Sequence, residues 1–79
     1  MKKSELLEII KEILNHKKDI TIADSSQTLD AWDSLAQLQI LMRIDQATGG
    51  KAANIPELAI ALSVQEIITT LDANGLIDA

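Results

Sequence analysis

Leu29-Asp30-Ala31-Trp32-Asp33-Ser34-Leu35 runs straight into an aliphatic stretch, residues 36–47, whose only regular reading is a helix. The serine therefore stands where a long loop turns into a helix, with an acid before it and a leucine after it. Loops run over the surface and the first turn of a helix has free backbone N–H groups, so a hydroxyl placed there is open to another enzyme. The helix spans about residues 34–47, capped by Asp33 or Ser34 and closed by Gly49-Gly50. At about 100° per residue its apolar side chains fall on two faces. Ile40, Leu41, Ile44 and Ala47 share one, Leu35, Leu38 and Met42 share the other, and Gln39, Arg43 and Gln46 fill the polar remainder. One face is enough for a small core. The second then reads as an exposed docking surface beside a modifiable serine, unless the domain buries this helix on both sides.

On the N-terminal side, residues 19–33 have no helical period and are rich in Asp, Ser and Thr. Ile20, Ile22 and Leu29 are expected to dip into the core and pin this long loop, a kind of connection that is often functional. Before it, Leu6, Leu7, Ile9, Ile10, Ile13 and Leu14 recur at spacings of three and four, which predicts an amphipathic helix over residues 4–16. Ser4 is the expected N-cap, Glu5 suits the positive end, and His16, Lys17 and Lys18 suit the negative end.

On the C-terminal side, a linker over residues 51–55 leads to Pro56, which a helix start tolerates, and to a short helix over residues 57–62. Ser63-Val64-Gln65-Glu66 has the spacing of a capping box and starts another helix, with Val64, Ile67, Ile68 and Leu71 facing inward. Asn74-Gly75 closes that helix, and Leu76 and Ile77 fold back over its last turn. The expectation is an all-α fold of four helices, three longer ones and a short third, in a single domain over residues 1–79.

Composition narrows the functions open to such a domain. A chain of 79 residues buries only about 60% of its unfolded surface, so its core must pack efficiently. Trp32 is the sole aromatic residue, and the core is therefore Leu, Ile, Val and Ala, which suits close-packed helices. With no cysteine there are no disulfides, no thiol catalysis and no thiolate metal site. A net charge of −5 disfavours nucleic acid and anionic membrane and favours encounter with basic protein surfaces. Glu5, Glu8 and Lys11 interrupt any signal-like apolar segment, and no apolar run has transmembrane length. A soluble, cytoplasmic monomer is expected.

Intrinsic catalysis has little to stand on. His16 is the only histidine, and no residue pairs with it as a base–nucleophile couple. Asp19, Asp24, Asp30 and Asp33 match no dedicated metal loop and read as solvated acids. Asp72-Ala73-Asn74-Gly75 opens like a calcium loop but has no bidentate glutamate to follow, so it reads as a helix cap. No glycine-rich phosphate cradle is present.

Ser34 taken alone is a capping residue. Taken with its surroundings it is more: an amphipathic first helix, a long loop, Trp32-Asp33-Ser34-Leu35 opening an aliphatic second helix, a short helix after Ile55-Pro56, and a capped fourth. Over essentially its whole length the chain resembles the acyl and peptidyl carrier proteins. The resemblance implies a four-helix bundle of acyl-carrier type in which Ser34 bears 4′-phosphopantetheine derived from coenzyme A, with Asp33 helping to place the serine. Leu35, Leu38, Gln39 and Met42 would meet partner enzymes, and Ile60 and Leu62 would line a space for the acyl chain. The implied partners are a phosphopantetheinyl transferase, an acyl- or aminoacyl-loading enzyme, and downstream acyl-transfer or condensing enzymes. Many members have a glycine and a small or aliphatic residue where this chain has Ala31 and Trp32, although related stand-alone carriers do show Trp. Fatty-acid carriers also commonly have acids where Ala36 and Gln39 stand, whereas this helix has only Asp45 and a base at Arg43. That difference points to a specialised biosynthetic pathway rather than bulk fatty-acid synthesis. The rival reading is an unmodified helical adaptor docking through the same apolar face.

Overall fold

A computed structural model describes residues 1–78. The order of elements is α1 (Lys3–Leu14), α2 (Ser34–Ala47), two 3₁₀ turns (Lys51–Asn54 and Pro56–Ile60) and α3 (Val64–Ala73). The fold is all-α, with no strand among the described residues, and no described helix is long and apolar enough to cross a membrane.

α1 starts earlier than its sequence suggests. Lys2, not Ser4, is the extended residue before the first turn, and its N–H donates to Glu5 Oε1 at 3.5 Å. Pairing of the chain ends draws this turn back, since Asp78 N–H donates to the Met1 carbonyl at 2.8 Å. The helix ends at Leu14 because Asn15 takes the left-handed conformation, φ 50°. Asn tolerates that conformation better than most residues, and it lets the Asn15 and His16 N–H groups reach the Glu12 and Lys11 carbonyls.

The loop between α1 and α2 is held by its own polar side chains, which replace the ladder it lacks. Asp24 accepts from Thr21 N–H at 2.9 Å and from Thr28 Oγ1 at 3.1 Å, while Ser25 N–H donates to Thr28 Oγ1 at 2.8 Å. Ser26 N–H donates to the Leu62 carbonyl at 2.9 Å and Val64 N–H to the Asp24 carbonyl at 3.1 Å, which ties the loop to the start of α3. At its beginning Asp19 pairs with Lys11 at 2.9 Å, and that bond holds the lysine's pKa above its ordinary value. Ile20 and Leu29 are buried as expected. Ile22 is not: it is 54% exposed, because the Thr21–Asp24 turn presents it at its tip.

The core is a single cluster. Leu6 and Ile10 of α1, Ile40 and Ile44 of α2, Leu58, and Val64, Ile67 and Leu71 of α3 are its most enclosed side chains. Ile77 folds over the end of α3 as the Gly75 turn predicts, with φ +68° at the glycine. Ala47 shares the angular position of Ile40 yet is exposed, since the last residue of α2 lies beyond the core. Residues 51–55 are ordered as a 3₁₀ turn rather than an open linker, and the short third helix is 3₁₀ rather than α, ending at Ile60. Ser63 Oγ accepts from Glu66 N–H at 3.0 Å, but Glu66 reaches back to Leu62 N–H, also at 3.0 Å, one residue before the expected partner.

Ile44 is fully enclosed, so Ile44→Ala should cost about 2–5 kcal/mol. A domain of this length holds roughly 4–12 kcal/mol in total. Urea unfolding followed by Trp32 fluorescence should show a large drop in midpoint.

Candidate functional site

The site is built where the long loop enters α2. Asp33 is extended, at φ −99° and ψ −171°, and its Oδ1 accepts from Ala36 N–H at 2.9 Å. Asp33 is therefore the N-cap, and Ser34 is the first helical residue. The Ser34 side chain is exposed, and its hydroxyl makes no hydrogen bond among the described residues. Asp33→Ala should lower stability by about 0.5–2 kcal/mol, and Asp33→Asn, which keeps the capping oxygen, by much less. Urea midpoints of the two variants check this.

The exposed face of α2 begins at this serine. Leu35, Leu38 and Met42 are 63%, 54% and 55% exposed, and Gln39 lies exposed among them. The charges of α2 are engaged close by. Arg43 lies 3.7 Å from Glu12, and Asp45 Oδ1 accepts from Ala53 N–H at 2.9 Å, holding the first 3₁₀ turn. The stripe is thus apolar and close to neutral.

Beside Ser34 an open groove of about 540 Å³ runs between α2 and the chain leading into α3. Trp32, Gln37, Leu38, Leu41 and Leu62 line it, and Asp33 is the one ionisable residue in its lining. Leu62 is thereby brought to the serine. Ile60 is not: it is 78% exposed and borders a different hollow, with Ser25 and Glu66. Among the described residues no three His, Cys, Asp or Glu side chains gather in a way that would hold a metal ion.

Gln37 stands outside the sequence reading, and Trp32 enters it only as part of the stretch that opens α2. Trp32 and Gln37 are both buried, and Gln37 is the single buried polar side chain among the described residues. Trp32 Nε1–H donates to Gln37 Oε1 at 2.7 Å, while Gln37 Nε2 donates to the carbonyls of Leu58 at 3.2 Å and Ala61 at 3.0 Å. The signal for Gln37 was in the helical period: seven residues before Ile44 it lies only about 20° away on the helix, inside the buried stripe.

Comparison with known protein families, with curated proteins and with solved structures finds no match to this chain. What fold and site define is a small all-α domain that presents one unbonded hydroxyl at a helix start, flanked by an apolar stripe and a groove.

Proposed function

We propose that this chain is a carrier protein, with Ser34 as the attachment point for 4′-phosphopantetheine. The observation that carries this reading is the Ser34 hydroxyl itself. It is exposed, free of capping duty because Asp33 caps α2, and adjacent to a groove with room for part of a flexible arm. The attachment step attacks the pyrophosphate of coenzyme A with Ser34 Oγ, forms a phosphodiester, and releases adenosine bisphosphate. The hydroxyl proton passes to a base on the transferase, since the groove lining offers only Asp33, whose carboxylate is bonded to Ala36 N–H.

When attached, the arm supplies the thiol that this cysteine-free chain lacks, and acyl or aminoacyl groups ride on it as thioesters. The protein's own residues hold the attachment point, present Leu35, Leu38, Gln39 and Met42 to the partner, and keep the arm's far end at high local concentration near each partner's active site. Weak, fast docking suits a protein that must hand its cargo on. In this reading the 3₁₀ turn Pro56–Ile60 takes the place of the short third helix of a four-helix carrier bundle, and the protein works as a cytoplasmic monomer. The near-neutral α2 supports a specialised pathway. The groove beside Ser34 supports Leu62, which lines it, as the residue that borders the arm, while Ile60 borders a different hollow.

Intact mass before and after incubation with coenzyme A and a broad-specificity phosphopantetheinyl transferase tests the proposal. A gain of one phosphopantetheine is expected, and a folded protein of unchanged mass overturns it. The exposed stripe of Leu35, Leu38 and Met42 favours one second reading, an unmodified adaptor that docks through that stripe and needs no hydroxyl at position 34.

A further inference from the structure

Gln37 is buried at 7% exposure, yet every polar atom of its amide that the interior could leave stranded has a partner. Its three bonds join its own helix to two other pieces of chain. One goes to Trp32 in the loop, two go to the Leu58 and Ala61 carbonyls around the second 3₁₀ turn, and the amide itself springs from the first turns of α2. An apolar pair of the same shape would remove both partners of the Trp32–Gln37 bond at little cost, but it would leave the Ala61 carbonyl without its donor. What an apolar pair would lack is direction. A buried indole N–H with one acceptor has one satisfactory position, and buried hydrogen-bond networks that are fully satisfied rigidify their surroundings.

The direction matters because of what lies between the two residues. Trp32 is two positions before Ser34 and Gln37 is three positions after it. Asp33, between them, accepts from Ala36 N–H through its carboxylate and from Gln37 N–H through its carbonyl, the latter at 2.9 Å. Upstream of Trp32, Asp30 and Ala31 are exposed and offer no packing of their own. We propose that Gln37 and Trp32 form a positioning clamp that fixes the Ser34 turn against residues 58–61, so that the hydroxyl is presented in one orientation for modification. The clamp rests on the carrier reading of Ser34. Neither residue hydrogen-bonds the hydroxyl, although both line the groove beside it, and the clamp acts through the backbone on either side of the serine.

Loss of the clamp should therefore spare docking and harm the chemical step. Gln37→Met and Trp32→Phe should take up phosphopantetheine with KM within about twofold of the parent and kcat lower by about tenfold or more, since small misplacements of a reacting atom are costly. The double variant should be far less impaired than the product of the two single losses, because it removes both partners of one bond. Amide hydrogen exchange at Ala36 should rise in each single variant, while exchange in α1 stays as in the parent. If Gln37→Met loses its helical signal, Trp32→Phe, which keeps both carbonyl contacts of Gln37, decides alone. Parent-like kcat in a folded single variant overturns the clamp and leaves the carrier reading standing. A loss confined to KM also overturns it, by moving the pair to the docking surface. A parent protein that gains no mass overturns the carrier reading and the clamp with it.

Discussion

Ser34→Ala should stay at its unmodified mass after incubation with coenzyme A and transferase, while its circular dichroism and urea midpoint match those of the parent. Both halves of that result follow from the division of labour at the start of α2. Asp33 caps the helix, with its Oδ1 2.9 Å from Ala36 N, and the Ser34 hydroxyl holds nothing among the described residues. Removing an exposed, unbonded hydroxyl changes stability by no more than about 0.5 kcal/mol. Had Ser34 been the cap, the same substitution would cost about 0.5–2 kcal/mol, and loss of loading would be confounded with loss of fold. Here the two are separable. The effect on loading is complete because no neighbouring nucleophile substitutes: the groove is lined otherwise by Asp33, by Ser26 and by apolar or amide side chains, and Ser26 belongs to the loop tied to Leu62. A Ser34→Ala protein that still gains one phosphopantetheine would place the modification elsewhere and remove the basis of the proposal. In the adaptor reading the same variant binds its partner as the parent does.

How far this site could be read in advance differs residue by residue. The period of α3 placed Val64, Ile67, Ile68 and Leu71 inside, and all four are buried, because an amphipathic helix with a single apolar stripe has one way to face a core. α2 was harder, since its apolar residues form two stripes and period alone does not say which is covered. Enclosure of Ile40 and Ile44 in the core, where α2 packs on α1 and the two 3₁₀ turns, settles it, leaving Leu35, Leu38 and Met42 outside. Composition obscured Gln37, a polar residue within the buried stripe whose partners, Leu58 and Ala61, are more than twenty positions away and are backbone carbonyls that no side-chain pattern reveals. Ile22 misled for the opposite reason: an apolar residue in a loop suggests an anchor, but the Asp24 carboxylate organises a turn that carries it outward. The end of α3 was legible at Gly75, and the start of α2 to within Asp33 or Ser34, but not the start of α1 at Lys2, where pairing with Asp78 at the far end of the chain sets it.

Leu38→Asp should fold as the parent does and yet lower kcat/KM for loading by about thirtyfold or more, the equivalent of about 2 kcal/mol and the scale of an interface hot spot. Leu38 lies four residues after Ser34, hence one turn along the same face, and its side chain both borders the groove and stands 54% exposed on the stripe. A surface substitution of that kind leaves the core untouched and shifts stability within about 0.5 kcal/mol. An enzyme that reaches Ser34 across the stripe covers Leu38, and covering a carboxylate there strips its water while the stripe supplies no partner, because among the described residues its nearest cation, Arg43, already faces Glu12 at 3.7 Å. The loss should fall on KM, the reverse of the pattern expected for Gln37→Met, since docking rather than the orientation of the hydroxyl is affected. Gln65→Glu adds the same charge on the exposed side of α3, away from the stripe, and should load as the parent does, which separates a local effect from a change in net charge. Parent-like loading of Leu38→Asp would mean that the transferase approaches Ser34 from the loop side, over Asp30 and Ala31, and the exposed leucines of α2 would then need another partner to explain them.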